Sequence, residues 1–279
     1  MNKKAKRKNP LKLKACVVAL SLWGLSSVLA LYSSPVMAAD TASNTAQEQV
    51  AEALALYNKG VTLGSLNRYE EAIAAYNNLI TRFGNSHTKI QVLVEMALLN
   101  KGVDLEELHR YEESIAVNND IITRFGNSQN PTMQEMVAQA LHNKGADLGR
   151  LHRYEEALAT YNDLITRFSN SQDTIIQEAV ANALLSKGIW LSDLHRHEEA
   201  IAAYNDLITR FGNSQNTKIQ EIVANALLNK GVDLGSLHRI GQARAEWEEL
   251  VYRFKDNPDV KIQKDVATAR HNLTVARNF

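Results

Sequence analysis

Histidine recurs in this chain at a fixed interval, as His109, His152, His195 and His238, with His197 beside the third of them. Imidazoles ligate metals and move protons, so a metal site is the first chemistry to test. A bound metal needs its ligands within about 2 Å, whereas stacked helices are spaced at roughly 8–10 Å. Successive members of such a row cannot share one ion, and His195 with His197 supplies two ligands only. A histidine repeated at a helix turn is expected to serve the turn, reaching for its free carbonyls. No metal and no cofactor is expected.

Paired carboxylates are the next candidates. Glu70-Glu71, Glu155-Glu156 and Glu198-Glu199 resemble acid/base pairs, but neighbouring helical residues point about 100° apart. Each pair opens a helix, where negative charge meets the positive end of the helix dipole. The lysines before the recurrent glycines (Lys59, Lys101, Lys144, Lys187, Lys230) are expected to pair with Asp104, Asp147 and Asp233 three residues on. A residue type present in every repeat is architecture, whereas a catalytic constellation uses one copy of each group. There is no Gly-rich phosphate loop and no nucleophile–base motif. No catalytic residue is expected, and the chain is read as a non-enzyme.

Asparagine forms the third row. Asn225, Leu228, Asn229, Val232 and Ser236 make one stripe of a helix, set about 100° from its apolar stripe. Its counterparts are Leu54, Tyr57, Asn58, Val61 and Ser65, then Met96, Leu99, Asn100, Val103 and Glu107. Gln139, His142, Asn143, Ala146 and Arg150 follow, then Asn182, Leu185, Ser186, Ile189 and Asp193. A recurrent amide among apolar side chains suits an extended peptide, because an amide both donates to and accepts from a backbone. The other reading is that these asparagines brace neighbouring helices. Trp190 stands where the other repeats carry Thr62, Asp104, Asp147 and Asp233. A large apolar group in place of a charge marks either a contact hot spot or a local packing variant.

These rows need helices to hold them, and the whole chain after residue 45 is built of repeats. Asn58-Lys59-Gly60 returns at 100–102, 143–145 and 229–231, and as Ser186-Lys187-Gly188, every 42 or 43 residues. Arg-Tyr-Glu-Glu-Ala at 68–72 and Ile-Thr-Arg-Phe at 80–83 return with the same period. In the fifth copy Ile219, Val223, Ala226, Leu227, Gly231, Leu234 and Leu237 follow helical spacing, as do Ala243, Trp247, Leu250, Val251 and Phe254. Each unit therefore reads as two helices. Asn130, Asp173 and Asn216 are placed to cap the first, with Pro131 at a tolerated first position. The glycines at 84, 126 and 212 are expected to end the second in a left-handed conformation. The units run 45–86, 87–129, 130–172, 173–215 and 216–257, and residues 258–279 make one further first helix, a cap. On that helix Arg270 and His271 replace the Leu-Leu pair, and Thr274 replaces the glycine.

The segment ANALLNKGVDLGSLHRIGQARAEWEELVYRF, from Ala224, resembles the tetratricopeptide repeat (TPR). The resemblance is carried by Gly231, Ala243 twelve positions later, and Trp247 one turn beyond. The same triplet reads Gly60, Ala72, Tyr76, then Gly145, Ala157, Tyr161, then Gly188, Ala200, Tyr204. The second repeat departs, with Ser114 and Asn118. Small residues are needed where two helices approach closely. The family period is 34, and the excess here is assigned to an extension of each first helix to roughly 20 residues. The resemblance spans residues 45–279 and implies an all-α, right-handed superhelical solenoid of antiparallel helix pairs, five repeats plus the cap. It also implies that the asparagine stripe lines a concave groove. Asn58, Asn100, Asn143, Asn229, Leu99, Val103, Leu185, Ile189, Leu228 and Val232 are then the expected peptide contacts.

The first 38 residues are of another kind. Seven basic residues and no acid occupy positions 1–14, an apolar run follows from Ala15 to Tyr32, and Val36 and Ala38 precede a polar start. This is a secretory signal with a cut after Ala38, and residues 39–44 make a short linker. The other reading is an uncleaved anchor, since the run reaches the lower edge of a membrane span. Cleavage leaves 24 basic against 31 acidic residues and no cysteine. An acidic, cysteine-free exported chain depends on packing rather than disulfides. It also lacks the basic stripe that binds nucleic acid. The expected role is a periplasmic or secreted adaptor that holds an envelope protein or peptide. It has no small-molecule substrate and meets the membrane only if anchored. A self-assembling structural unit is the alternative.

Overall fold

The computed structural model describes residues 41–84 and 90–276. Eleven helices and no strand occur among the described residues. In chain order they are α1 Thr41–Ser65, α2 Tyr69–Phe83, α3 Ile90–Glu107, α4 Tyr111–Phe125, α5 Pro131–Arg150 and α6 Tyr154–Phe168. They continue as α7 Thr174–Asp193, α8 His197–Phe211, α9 Thr217–Ser236, α10 Ile240–Phe254 and α11 Val260–Ala276. α1 starts inside the linker expected at 39–44. The expected leader and its cut lie outside the described residues. None of the described helices is long and apolar enough to cross a membrane.

The described chain forms two compact units that part within α5, after Ala140. In the first, α1 pairs with α2 and α3 with α4; in the second, α7 pairs with α8 and α9 with α10, and α11 closes on α10 and α9. Consecutive helix-pair packing is the architecture of both. α5, α7 and α9 are each 20 residues long and every second helix is 15, so the added length does lie in the first helices.

Small residues set how closely each pair packs. A Cβ on Gly145 would lie 2.5 Å from Cε1 of the Tyr161 ring, which is itself fully buried. Gly60, Gly188 and Gly231 stand in the same relation to Tyr76, Tyr204 and Trp247. The second repeat differs, because Asn118 replaces the ring and a Cβ on Gly102 would find its nearest neighbours at 3.8 Å. Asn118 is buried and donates to Ser114 Oγ at 3.3 Å, so the two departures of that repeat pair with each other.

The helix starts follow the capping chemistry. The side-chain oxygens of Asn130, Asp173, Asn216 and Asp259 each accept from two first-turn amides of the helix that follows. The turns inside each repeat depart from expectation. His109, His152, His195 and His238 occupy the left-handed region at φ of 58–60°, and Asn67 does so in the first repeat. Their backbone amides, not their rings, reach the carbonyls: His152 N–H donates to Gly149 O and Arg153 N–H to Leu148 O. This is the paired closure that a left-handed residue allows after a helix. The His109 and His152 rings instead share hydrogen bonds with the hydroxyls of Tyr111 and Tyr154, at 2.7 and 2.6 Å. The glycines at 84, 126 and 212 are right-handed, at φ near −60°, and so is Ser169 at the equivalent place. The left-handed role expected of them belongs to the histidines.

Candidate functional site

Most of the asparagine stripe is buried, contrary to an open solvent face. Asn100, Asn143 and Asn229 are 8%, 4% and 9% exposed, and Leu99, Leu185, Ile189 and Leu228 are buried as well. Asn58, Val103, Val232 and Trp190 are half-buried. The cause is close packing of neighbouring first helices, α1 with α3 and α7 with α9. Asn100 Nδ2 donates to the Tyr57 hydroxyl of the preceding repeat at 3.3 Å, which is the bracing role. Asn229 Nδ2 donates to Asn225 Oδ1 at 2.7 Å, one turn back on its own helix. His142 Nδ1 donates to Asn143 Oδ1 at 3.4 Å. These bonds use one side of each amide, and a primary amide carries two donors and two acceptor lone pairs.

Burial shapes the chemistry of the aromatic groups around the stripe. The Tyr57 phenol is pushed up to about 12 by desolvation, offset in part by Asn100. Burial likewise pushes Tyr161 up to about 12, with Ser186 and Trp190 pulling the other way. Desolvation lowers the His142 imidazole to about 4, with the Asn143 bond opposing and the Arg150 charge assisting. At neutral pH the Tyr57 and Tyr161 phenols therefore stay protonated and the His142 imidazole neutral.

Trp190 lies inside the stack. Its indole packs against Gly149, where a Cβ would collide with it, and its ring centre is 5.6 Å from that of Tyr154. The equivalent Asp233 instead accepts from Ser192 Oγ and, at 2.8 Å, from His197 Nδ1. In the first unit Asp104 lies against Gly64. Trp190, like Asp104 and Asp233, thus touches the repeat before its own. The Ser192–Asp233–His197 cluster has the residue types of a hydrolytic triad in another order: Asp233 accepts from both Ser192 Oγ and His197 Nδ1.

The charged rows also resolve into architecture. Arg110, Arg153 and Arg196 each hold the second glutamate of their own repeat, at 2.6 Å. Arg110, Arg196 and Arg239 also reach the first glutamate of the preceding repeat: Glu70, Glu155 and Glu198. Lys230 does not pair as expected: it meets Glu246 on its partner helix α10, while Asp147 binds Arg150 and Lys187 donates to Asn162 on α6 of the preceding repeat. No group of three metal-ligating side chains occurs among the described residues.

A further row escaped the sequence reading. Gln134, Gln177, Gln220 and Gln263 each donate Nε2 to the carbonyl six residues back: Ser128, Ser171, Ser214 and Asn257. They tie the loop between repeats to the helix that follows. Their recurrence every 43 residues was the signal that could have revealed them.

The family models that match the chain agree with the helix pairs. Tetratricopeptide repeat family models match residues 53–84 and 142–216. A thermophilic TPR protein from Thermus thermophilus is similar at 16% identity and TM-score 0.44, over 78% of this chain and 99% of that one. A tetratricopeptide repeat protein from Parabacteroides merdae ATCC 43184 is similar at 12% identity and TM-score 0.47, over 82% of this chain and 93% of that one. A TPR repeats protein from Bacteroides fragilis NCTC 9343 has 17% identity and TM-score 0.37, over 81% and 87%. No curated protein matches the chain.

Proposed function

Because this chain is a tetratricopeptide-repeat protein, and such repeats are protein-interaction scaffolds, we propose that it is a non-catalytic adaptor of the cell envelope. It holds an extended segment of a partner protein against the stripe of its first helices. The observation that carries this is the chemistry of the stripe. Apolar side chains (Leu99, Val103, Leu185, Ile189, Leu228, Val232) alternate with amides (Asn58, Asn100, Asn143, Asn229), and the half-buried members Asn58, Val103 and Val232 are the ones a partner reaches without the first helices parting. Export rests on the leader pattern of residues 1–38 and cleavage after Ala38. Retention as an anchored assembly factor, or self-assembly, are the outcomes that compete with it.

The test is a crosslinking pull-down from the native envelope, followed by partner affinity and melting temperature on one triple variant, Asn100→Ala, Asn143→Ala and Asn229→Ala. Three hydrogen bonds of about 1 kcal/mol each predict a loss of affinity of about two orders of magnitude. Some stability is lost too, because Asn100 also braces Tyr57. A variant that melts lower yet binds its partner normally once folded assigns the asparagines to the scaffold alone.

A further inference from the structure

The arginines of this chain follow a rule with one exception. From Arg68 to Arg253, every described arginine forms an ion pair with an aspartate or glutamate of the chain. Arg270, on the terminal helix α11, is exposed and has no such pair among the described residues. Lys264 and His271, exposed on the same helix, have none either. The acid of α11 is Asp265, which is buried on the opposite side. α11 therefore turns toward solvent a face that carries Lys264, Arg270 and His271 and no acid of its own.

Two structural explanations fall short. Cations near a helix C-terminus are favoured by the dipole, but only over the last turn, and Arg270 lies more than a turn before Ala276. Polar capping of an unpaired helix would account for hydrophilic residues, but not for one sign of charge. Beside these cations lies a group that suits a peptide: Val275 is 46% exposed. Asn272 stands 43 residues after Asn229, so the asparagine row runs on into α11.

We propose that the exposed face of α11, with Lys264, Arg270, His271 and Val275, docks an acidic extended segment of a protein partner. Carboxylates of that segment take the place that Asp and Glu of the chain fill at every other described arginine. Arg270 offers the planar fork that binds a carboxylate through two parallel bonds, and Val275 receives an apolar side chain. The choice of a protein partner rests on the scaffold reading above; the charge match does not depend on it.

The probe is a fluorescein-labelled Glu-Ala repeat peptide, read by anisotropy on the full chain, with a Lys-Ala peptide as its opposite. The Glu-Ala peptide should bind at low salt and weaken steeply as salt screens the contact, and the Lys-Ala peptide should not bind. Lys264→Glu with Arg270→Glu should weaken binding by at least about tenfold. Lys264→Gln with Arg270→Gln should give a smaller loss, with the melting temperature unchanged in both. Arg68→Glu with Arg124→Glu, which removes equal charge elsewhere, should stay within about twofold. Equal losses in the two charge-reversed variants, or no binding of the Glu-Ala peptide, would overturn the proposal. So would sedimentation of the chain with phosphatidylglycerol vesicles that depends on Lys264 and Arg270 without peptide binding, since that would make the face a membrane contact. The Asn100, Asn143 and Asn229 triple variant separates the two readings, because Glu-Ala binding should survive it even where the native partner is lost.

Discussion

Alanine at Gly145 and alanine at Gly102 should move stability in opposite directions, although the two glycines occupy the same position of successive repeats. At Gly145 the new methyl would stand 2.5 Å from Tyr161 Cε1 and 2.8 Å from Cδ1 and Cζ. Carbon atoms in contact prefer about 3.5–4.0 Å, so the ring would have to retreat by about 1 Å in a place where it is fully buried. Overpacking of that kind costs about 1–3 kcal/mol, against about 1 kcal/mol gained from helix propensity. At Gly102 the nearest atoms, Asn118 Oδ1 and Val117 Cγ1, would be 3.8 Å away, an ordinary contact. There only the propensity gain applies, about 0.5–1 kcal/mol. Helix melting followed by circular dichroism should show Gly145→Ala falling by a few degrees and Gly102→Ala rising, at about 2–4 °C per kcal/mol. A double-mutant cycle sharpens the test. Tyr161→Asn copies the second repeat, so Gly145→Ala made in that background should lose its penalty. Shifts of the same sign at both glycines, or a cycle without coupling, would refute the packing argument.

Two further outcomes are expected. Mass spectrometry of the native protein should find its N-terminus at Ala39 or Asp40, whereas a membrane-bound product that retains Ala15 to Tyr32 would establish an anchor. His142 should make stability depend on pH: its folded pKa, about 4, lies below the unfolded value of 6.5, so the unfolded chain binds more protons between the two. Stability is then fully present above about pH 6.5 and is lost as pH falls toward 4, by up to about 3 kcal/mol. His142→Gln should flatten urea-derived stability across that window, and an unchanged pH slope would show that the imidazole is not held neutral.

Periodic features were legible because repetition averages over context. Helix pairs, caps and the glycine–aromatic contact each occur several times, so local propensity and tertiary packing point the same way at Gly60, Gly145, Gly188 and Gly231. What could not be read was the contact between repeats. Helical periodicity places Asn100, Asn143 and Asn229 on a face distinct from the core stripe, yet all three are buried there, and beside Asn100 and Asn229 the neighbouring first helices pack closely. Spacing along one helix says nothing of how near the next one comes. The lysine–aspartate expectation failed similarly: a distance of three residues is necessary for an ion pair, but Lys230 finds Glu246 on its partner helix first.

Departures from the repeat are compensated across the contact between one repeat and the next, and this separates packing from function. Trp190 is large where aspartate is usual, and Gly149, the residue it leans on, offers the room. In the following contact the aspartate returns as Asp233, and its partners are Ser192 and His197 in place of Gly149 and Tyr154. Each change is answered by another a repeat away, as an internal interface requires when a buried polar group must keep its partners. A surface feature aimed at another molecule has no such counterpart in its own chain. Arg270 meets that criterion among the described arginines: Arg110, Arg196 and Arg239 each reach back to a glutamate of the preceding repeat, whereas Arg270 has no acid of the described chain beside it.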